Sequence, residues 1–178
     1  MKVFIHITFL IILCFSCTTK VEVKELDTSF KKENRLMYQQ GELYTGTLFY
    51  SNKANDTLWK KEYHKGMLHG AYKKWHTNGT LTENRSYHNN LKAGTHYGWW
   101  SNGKPKFKFS FNDNGTYEGT FYNWYSSGKI FKQLNFKDGF EDGAQKAWNS
   151  QGKLIANYYI ANGEKYGLIG SKSCMPTN

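Results

Sequence analysis

A chain of 178 residues is long enough for one domain and too short for two comfortable ones. Aromatic side chains make up 17% of the residues, which supplies enough apolar area to order the chain and argues against intrinsic disorder. The formal net charge of +10 favours association with anionic lipid headgroups, acidic glycans or nucleic acid, although a soluble Lys-rich sheet surface carries the same excess.

The chain begins with the pattern of a secretion signal. Lys2 is followed by an apolar run over residues 3–15, and polar sequence starts directly after Cys17. The run spans about 13 residues, which fits the core of a signal peptide and falls short of the ~20 residues that a membrane-spanning helix needs. We therefore expect a cleavable signal helix and an exported protein, and for an exported protein we expect no nucleic-acid partner.

The end of this run resembles the bacterial lipobox, in which the signal is cut before a Cys that is then acylated. Ser16 supplies the small residue before Cys17, but Cys14 stands where Leu is typical, so a plain cleaved signal is the alternative. Two or three acyl chains on Cys17 would hold the protein firmly at a membrane. No Asp follows Cys17, which favours the outer membrane if the cell has two membranes.

Glycine and tryptophan recur with a period of 24 residues. In the register of the repeat the motif Gly-x-x-x-Gly occurs four times, and a fifth copy has Asn90 in place of its first Gly. In four copies a Trp lies five residues after the second Gly of the motif, and a further Gly lies nine residues after that same second Gly. The tryptophans are Trp75, Trp99, Trp124 and Trp148, and the further glycines are Gly79, Gly103, Gly128 and Gly152. Such a period indicates a stack of similar structural units.

Each unit reads as a β-hairpin. Residues 71–76 alternate as a strand does, and residues 81–87 return. Asn78-Gly79 between them is the pair preferred in a two-residue turn with both φ positive, and the Gly-x-x-x-Gly segment supplies a looser turn into the next hairpin. The sequence therefore predicts an all-β fold, an elongated single-sheet meander of antiparallel hairpins.

Alternation along the returning strands assigns side chains to two faces. Counted from each turn Gly, the second, sixth and eighth residues are mostly apolar, as in Ile130, Leu134 and Phe136, whereas the first, third and fifth are mostly polar. We expect the apolar set to be buried and the periodic Trp to face the same side.

The repeated Tyr/Phe-x-x-Gly, Gly-x-x-x-Gly and Trp-x-x-Asn-Gly elements resemble MORN-type repeats, in particular the bacterial variant labelled YwqK-like. The resemblance covers about residues 38–167. It implies, in general terms, membrane attachment, scaffolding or self-association. The antitoxin label often given to this variant is not carried over, because an exported, lipidated chain does not easily meet a cytoplasmic toxin.

Four segments follow from these patterns. We assign residues 1–16 to the signal peptide and 17–37 to a lipid-anchored tether and N-terminal cap. Residues 38–167 form the MORN-like array, and residues 168–178, where the period is lost, form a C-terminal cap or tail.

The sequence shows no P-loop, nucleophile elbow or dinucleotide fingerprint, and we predict neither an enzyme nor a cofactor. Cys174 and Met175 are weak candidates for a metal site, because two soft sulfur ligands suit Cu(I), and a lone thiol also suits a disulfide with another molecule. The histidines read as surface, rim or strand-end positions without a metal-binding pattern. They are His64, His69, His76, His88 and His96.

A candidate binding surface lies on the predicted wet face. Four aromatic residues there have the parity opposite to the buried set, and three lysines lie close to them in sequence. They are Trp100, Phe121, Tyr125, Phe131, Lys104, Lys106 and Lys108. An aromatic and basic surface suits a glycan, an anionic lipid headgroup or a protein partner.

These features predict a non-catalytic repeat module, anchored to a membrane through its N-terminal lipid, that binds or scaffolds at the bacterial cell envelope. The envelope partner is a protein, a glycan or an anionic lipid. One alternative is a copper- or thiol-handling accessory lipoprotein that uses Cys174. A less favoured alternative is an enzyme acting on envelope polymers, because no acid/base pair is apparent in the sequence.

Overall fold

The computed structural model describes residues 20–22, 29–52 and 56–169. All regular structure in these ranges is β-strand, as the sequence predicts. The expected signal helix, the lipidation site Cys17 and the tail beyond residue 169 lie outside the described residues.

The described ranges contain sixteen strands. In the N-terminal half they are β1 Lys20–Glu22, β2 Phe30–Glu33, β3 Leu36–Gln39, β4 Glu42–Leu43, β5 Gly46–Ser51, β6 Thr57–His64, β7 Met67–Trp75 and β8 Leu81–His88. In the C-terminal half they are β9 Leu91–Trp99, β10 Pro105–Phe111, β11 Tyr117–Trp124, β12 Ile130–Lys137, β13 Phe140–Glu141, β14 Gly143–Trp148, β15 Leu154–Ala161 and β16 Glu164–Ile169.

One long open sheet contains thirteen of these strands. From β5 to β16 the strands follow each other in chain order and pair antiparallel, and the short β13 pairs with β12 beside β14. The sheet has β1 at one edge, paired parallel with β5, and β16 at the other. This is the elongated meander of hairpins that the 24-residue period predicts.

A second, three-stranded sheet formed by β2, β3 and β4 was not expected from the repeat pattern. Its hairpins lie against the turn between β6 and β7, where Met37 N–H donates to the Gly66 carbonyl at 2.8 Å and Gly66 N–H donates to the Tyr44 carbonyl at 2.8 Å. Tyr44, which is 3% exposed, packs its ring edge against Phe30 at a centroid distance of 5.3 Å. The array therefore has a packed cap at its N-terminal end.

The long sheet has two aromatic faces. On the first, which we call the phenylalanine face, rings from four neighbouring strands are in contact, with Phe109 stacked on Phe121 at 5.0 Å and on Phe107 at 4.6 Å. The face continues through Tyr72, Tyr87, His96, Phe111, Tyr117 and Phe136. His96 is fully buried among these rings, at 0% exposure, so the expectation that it occupies a surface or strand-end position is wrong.

The periodic tryptophans lie on the opposite face, which corrects the expectation that they share the buried side. Phe109 pairs with His96 across the sheet, so the alternation of side chains places Tyr97 and Trp99 on the other side. There Tyr97 stacks on Trp99 at 5.9 Å, and Tyr122 stacks on Trp124 at 5.5 Å. We call this side the tryptophan face, and the same alternation places Trp75 and Trp148 on it.

A β-bulge in each hairpin explains the wrong assignment. Trp75 pairs with Leu81, but the preceding residue Lys74 pairs with Glu83, so Thr82 is an extra residue on the returning strand. The same shift follows Trp99, Trp124 and Trp148. One extra residue reverses the parity of everything beyond it, so counting in twos from the turn Gly crosses from one face to the other.

Two kinds of turn alternate along the sheet. The outer turns, residues 76–80, 100–104, 125–129 and 149–153, close with a backbone bond between their first and fifth residues. In the first of them Gly79 has φ +79° while Asn78 does not have a positive φ, so this is a three-residue loop with a left-handed Gly and not the expected two-residue Asn-Gly turn.

The inner turns, at the opposite ends of the strands, include the tight two-residue turns. Lys65 and Gly66 have φ values of +47° and +74°, and Asp138 and Gly139 have +51° and +91°. Both central residues are left-handed, as the tightest hairpin turns require. The first Gly of the motif therefore serves a tight turn at Gly66, Gly139 and Gly163, where the prediction of a looser turn is wrong. At Gly115 the looser turn is present, because residues 112–116 close with the same first-to-fifth backbone bond as the outer turns.

Candidate binding surfaces

The structure separates the seven residues of the predicted aromatic and basic surface. Phe121 lies on the phenylalanine face, where its ring stacks on Phe109 at an interplanar angle of 6°. It is not part of a wet surface, because the bulge after Trp124 leaves Trp124 paired with Ile130 on one face while Phe121 pairs with Leu134 on the other, where the rings of β10 and β11 meet.

Trp100 and Tyr125 are occupied in contacts between successive outer turns. The Nε1–H of Trp100 donates to the carbonyl of Trp124 at 3.1 Å, and the hydroxyl of Tyr125 donates to the carbonyl of Trp148 at 2.9 Å. Both residues hold the position directly after a periodic Trp. These side chains join one hairpin to the next, and this is a structural role.

Other side chains extend this connection into a ladder along the outer turns. The Nδ2–H of Asn78 donates to the carbonyl of Ser101 at 3.0 Å, and that of Asn102 donates to Ser126 at 2.9 Å. Lys104 donates through Nζ to the carbonyl of Ser127 at 2.6 Å. Lys104 is therefore also a structural residue, although it is exposed.

The remaining members of the predicted surface stay accessible. Lys106 holds its Nζ 4.6 Å from the centre of the Trp100 ring, and Lys108 is exposed on the tryptophan face. Phe131 is half-buried against Tyr125 at a ring distance of 5.0 Å. Of the predicted set, Lys108 thus lies among the periodic tryptophans, and Lys106 and Phe131 lie beside the outer turns.

The tryptophan face is the broader aromatic and basic surface. Its Trp side chains recur on every second strand, which corresponds to a spacing of about 10 Å because neighbouring strands lie ≈ 4.8 Å apart. Beside them runs a continuous row of cross-strand partners: Lys60, Lys73, Asn84, Tyr97, Lys108, Tyr122, Gln133, Lys146 and Asn157. Each of the four periodic tryptophans is half-buried, and Tyr97 is 36% exposed.

Three histidines meet at the inner turns. The His69 ring lies 5.7 Å from His64 and 4.8 Å from His88, and His69 Nδ1 lies 3.1 Å from Asn89 Oδ1. In the part of the chain that the structure describes, no group of three or more His, Cys, Asp or Glu side chains is arranged to hold a metal ion. The position of His88 in this cluster could not be predicted from sequence spacing, because His88 belongs to the strand after the one that carries His69.

The weak metal candidates Cys174 and Met175 lie outside the described residues, as does Cys17. Within the ranges that are described, no helix has the length and apolar character to cross a membrane.

Fold and surfaces define a class: an open array of β-hairpin repeats with one aromatic face packed and the other carrying tryptophans and lysines. Sequence comparison agrees with this class. The family model described as MORN repeat variant matches residues 68–89 and 117–138, which cover most of the hairpins β7–β8 and β11–β12. The chain thus carries MORN-type repeats. A search of curated proteins found no match.

Neither the tryptophan face nor the outer-turn ladder was predicted from the sequence. The row of Lys and Tyr beside the tryptophans becomes visible only when strand partners are known, because its members come from nine different strands. The ladder left a signal that was available: a side chain able to donate follows each of Trp75, Trp99 and Trp124.

Proposed function

We propose that this protein is a non-catalytic repeat module of the YwqK-like variant, exported and anchored to a membrane through lipid on Cys17, that binds or scaffolds a partner at the bacterial cell envelope. MORN-type repeats are generally non-catalytic, which supports a binding role. The N-terminal pattern of apolar run, Ser16 and Cys17 supports export and anchoring.

One observation carries the binding role: the tryptophan face is a long, half-exposed aromatic surface in an open sheet. Among the described residues, the larger contacts join strands that are neighbours within a sheet. Apart from these, a smaller contact links β3 of the small sheet to β7 of the long sheet. Trp and Tyr are enriched at binding surfaces, where their rigid rings supply contact area, and the lysines beside them can supply polar contacts.

The partner class follows from the charge of this surface. The row contains four lysines, and the carboxylate of Glu62 next to it forms an ion pair with Lys60 at 3.0 Å. An excess of cations favours a partner with an acidic surface, and association is then weaker at high salt. An envelope protein, an acidic glycan and an anionic lipid surface all meet this description.

The binding role is tested by photo-cross-linking in cells. A photoreactive residue replaces Lys108 or Lys146 on the tryptophan face, and the matched control replaces Lys132 on the other face. We expect a defined cross-linked product from the first two positions and much less from Lys132. Equal products from both faces would contradict the proposal.

The anchoring is tested separately with Cys17→Ser. We expect the wild-type chain in the membrane fraction and the variant, once it is cleaved from its signal, in the soluble fraction, because acylation needs the thiol of Cys17. Only cleaved chains, identified by their mass, are compared. An unchanged distribution between membrane and soluble fractions would remove the lipid anchor from the proposal and leave the binding role in place.

A further inference from the structure

The array departs from its own repeat at one inner turn, and the departure has a structural use. Asn90 stands where the other copies have the first Gly of the motif, and it has a left-handed φ of +68°. An Asn in this conformation is less favourable than Gly, so its side chain must provide something in exchange.

The Asn90 side chain connects the repeat array to the three-stranded sheet. Its Oδ1 accepts from the N–H of Leu68 at 2.8 Å, and its Nδ2–H donates to the carbonyl of Arg35 at 3.2 Å. Arg35 is itself left-handed, with φ +66°, at a turn position where Gly is preferred. The bond to the Arg35 carbonyl thus fixes this turn of the small sheet, and the exposed Arg35 lies at the rim of a cleft beside the phenylalanine face.

A cleft lies below this arginine, between the small sheet and the phenylalanine face. Its volume is about 300 Å³, and Tyr63, Tyr72 and Tyr87 are among the aromatic residues that line it. The cations in its lining are Lys32, Arg35 and Lys61, and the lining contains no Asp or Glu. A concave site with aromatic walls and a few converging polar groups is the usual form of a small-ligand site.

Lys61 is a half-buried cation in this cleft without a carboxylate partner among the described ion pairs. Its Nζ lies 4.5 Å from the centre of the Trp59 ring and 5.2 Å from that of Tyr72. Burial, followed by repulsion from Lys32 and Lys74, lowers the pKa of Lys61.

Arg85 on the same face shows how such a cation is otherwise accommodated. It forms an ion pair with Glu83 at 2.8 Å, and its guanidinium lies over Phe107. Lys61 has the aromatic contact without the carboxylate. The cleft therefore has a place for a negative charge that the described chain does not fill.

We propose that this cleft binds a small organic anion, a phosphate or carboxylate group carried on a ring-sized body. Lys61 and Arg35 hold the anionic group, and the tyrosine rings contact the apolar side of the body. This inference rests on the proposed binding role and deepens it by naming a second site and a class of ligand.

Titration calorimetry of the full chain with glucose 6-phosphate tests the site, with glucose and inorganic phosphate as probes of its two parts. We expect the sugar phosphate to bind more tightly than either part. Vesicles containing phosphatidylinositol, whose headgroup joins a phosphate to a six-membered ring, form a further arm, compared with vesicles of phosphatidylcholine. Binding of the acidic vesicles with the same dependence on Lys61 supports the site and assigns the anion to a lipid headgroup.

Three variants identify the residues responsible. Lys61→Met removes the buried charge with similar volume, and Arg35→Gly removes the second cation while fitting the left-handed turn. We expect each to weaken sugar phosphate binding at least about tenfold. The matched control is Lys92→Met, because Lys92 Nζ also lies over aromatic rings of the same face, 5.1 Å from Phe111, outside the cleft. It should leave binding unchanged.

The proposal is overturned if the sugar phosphate and the acidic vesicles both fail to bind, if glucose binds as well as its phosphate, or if Lys92→Met weakens binding as much as Lys61→Met. Arg35→Gly relieves an unfavourable turn, so this variant should fold even if Lys61→Met does not. Cross-linking from Lys108 reports on the opposite face, so it shows whether the wider binding role survives when this site fails.

Discussion

The two faces of the long sheet both carry aromatic rings, but the rings are arranged differently on each. On the phenylalanine face the rings contact each other across strands and surround His96, and Phe111 is 7% exposed. On the tryptophan face the rings stack mainly along one strand, as Trp99 does on Tyr97, and lysines separate the pairs. Tyrosine, which occurs on both faces, shows the difference: Tyr117 packs between Phe111 and Phe136, whereas Tyr97 is 36% exposed.

The largest effect expected from this comparison is on stability. Phe109 packs against rings on three strands, so Phe109→Ala should lower the free energy of unfolding by about 3 kcal/mol. Trp124 is half-buried and stacks on Tyr122 of its own strand, so Trp124→Ala should cost about 1–2 kcal/mol although Trp is larger. Urea unfolding followed by circular dichroism measures both. A greater loss in Trp124→Ala would mean that the tryptophan face is the core.

A smaller effect should appear with pH, again on one face. Burial lowers the pKa of His96, so in the window below the ordinary histidine pKa the unfolded chain binds more protons than the folded one. The contribution of neutral His96 is complete above that window, and stability should fall as the pH is lowered through it. Unfolding free energies measured from pH 7 to pH 5 give the slope.

The variant His96→Phe keeps a ring in this place and removes the titration, so its slope over the same range should be shallower. His64→Gln serves as the comparison variant, because His64 is exposed at an inner turn. A slope that responds to His64 and not to His96 would refute the assignment.

The smallest effect on stability is expected from the hydrogen bonds of the outer-turn ladder. Trp100→Phe removes the donor to the Trp124 carbonyl, and Tyr125→Phe removes the donor to the Trp148 carbonyl. Each should cost about 1 kcal/mol, the usual net value of one hydrogen bond. Tyr122→Phe on the tryptophan face is the control. If it costs as much as the other two, the outer-turn bonds do not explain the loss.

The repeat itself was readable from the sequence because four Trp and four Gly keep one register. Which face each residue occupies was not, because the extra residue at Thr82 and its equivalents leaves no clear mark in composition. Phe121 was placed on the wrong side for this reason. The small sheet was missed because residues 30–43 contain no Trp to mark a hairpin, and its position depends on long-range bonds such as that from Asn90 to Arg35.

The outer-turn ladder gives the array a direction. In each of its bonds the donor belongs to the earlier hairpin and the acceptor is a backbone carbonyl of the hairpin after it, as from Asn78 to Ser101 and from Asn102 to Ser126. A carbonyl is present in every hairpin whatever its sequence, so a newly duplicated hairpin can accept hydrogen bonds from the hairpin before it. A hairpin added at the C-terminal end therefore needs no particular side chain to join the ladder, whereas one added at the N-terminal end needs donor side chains.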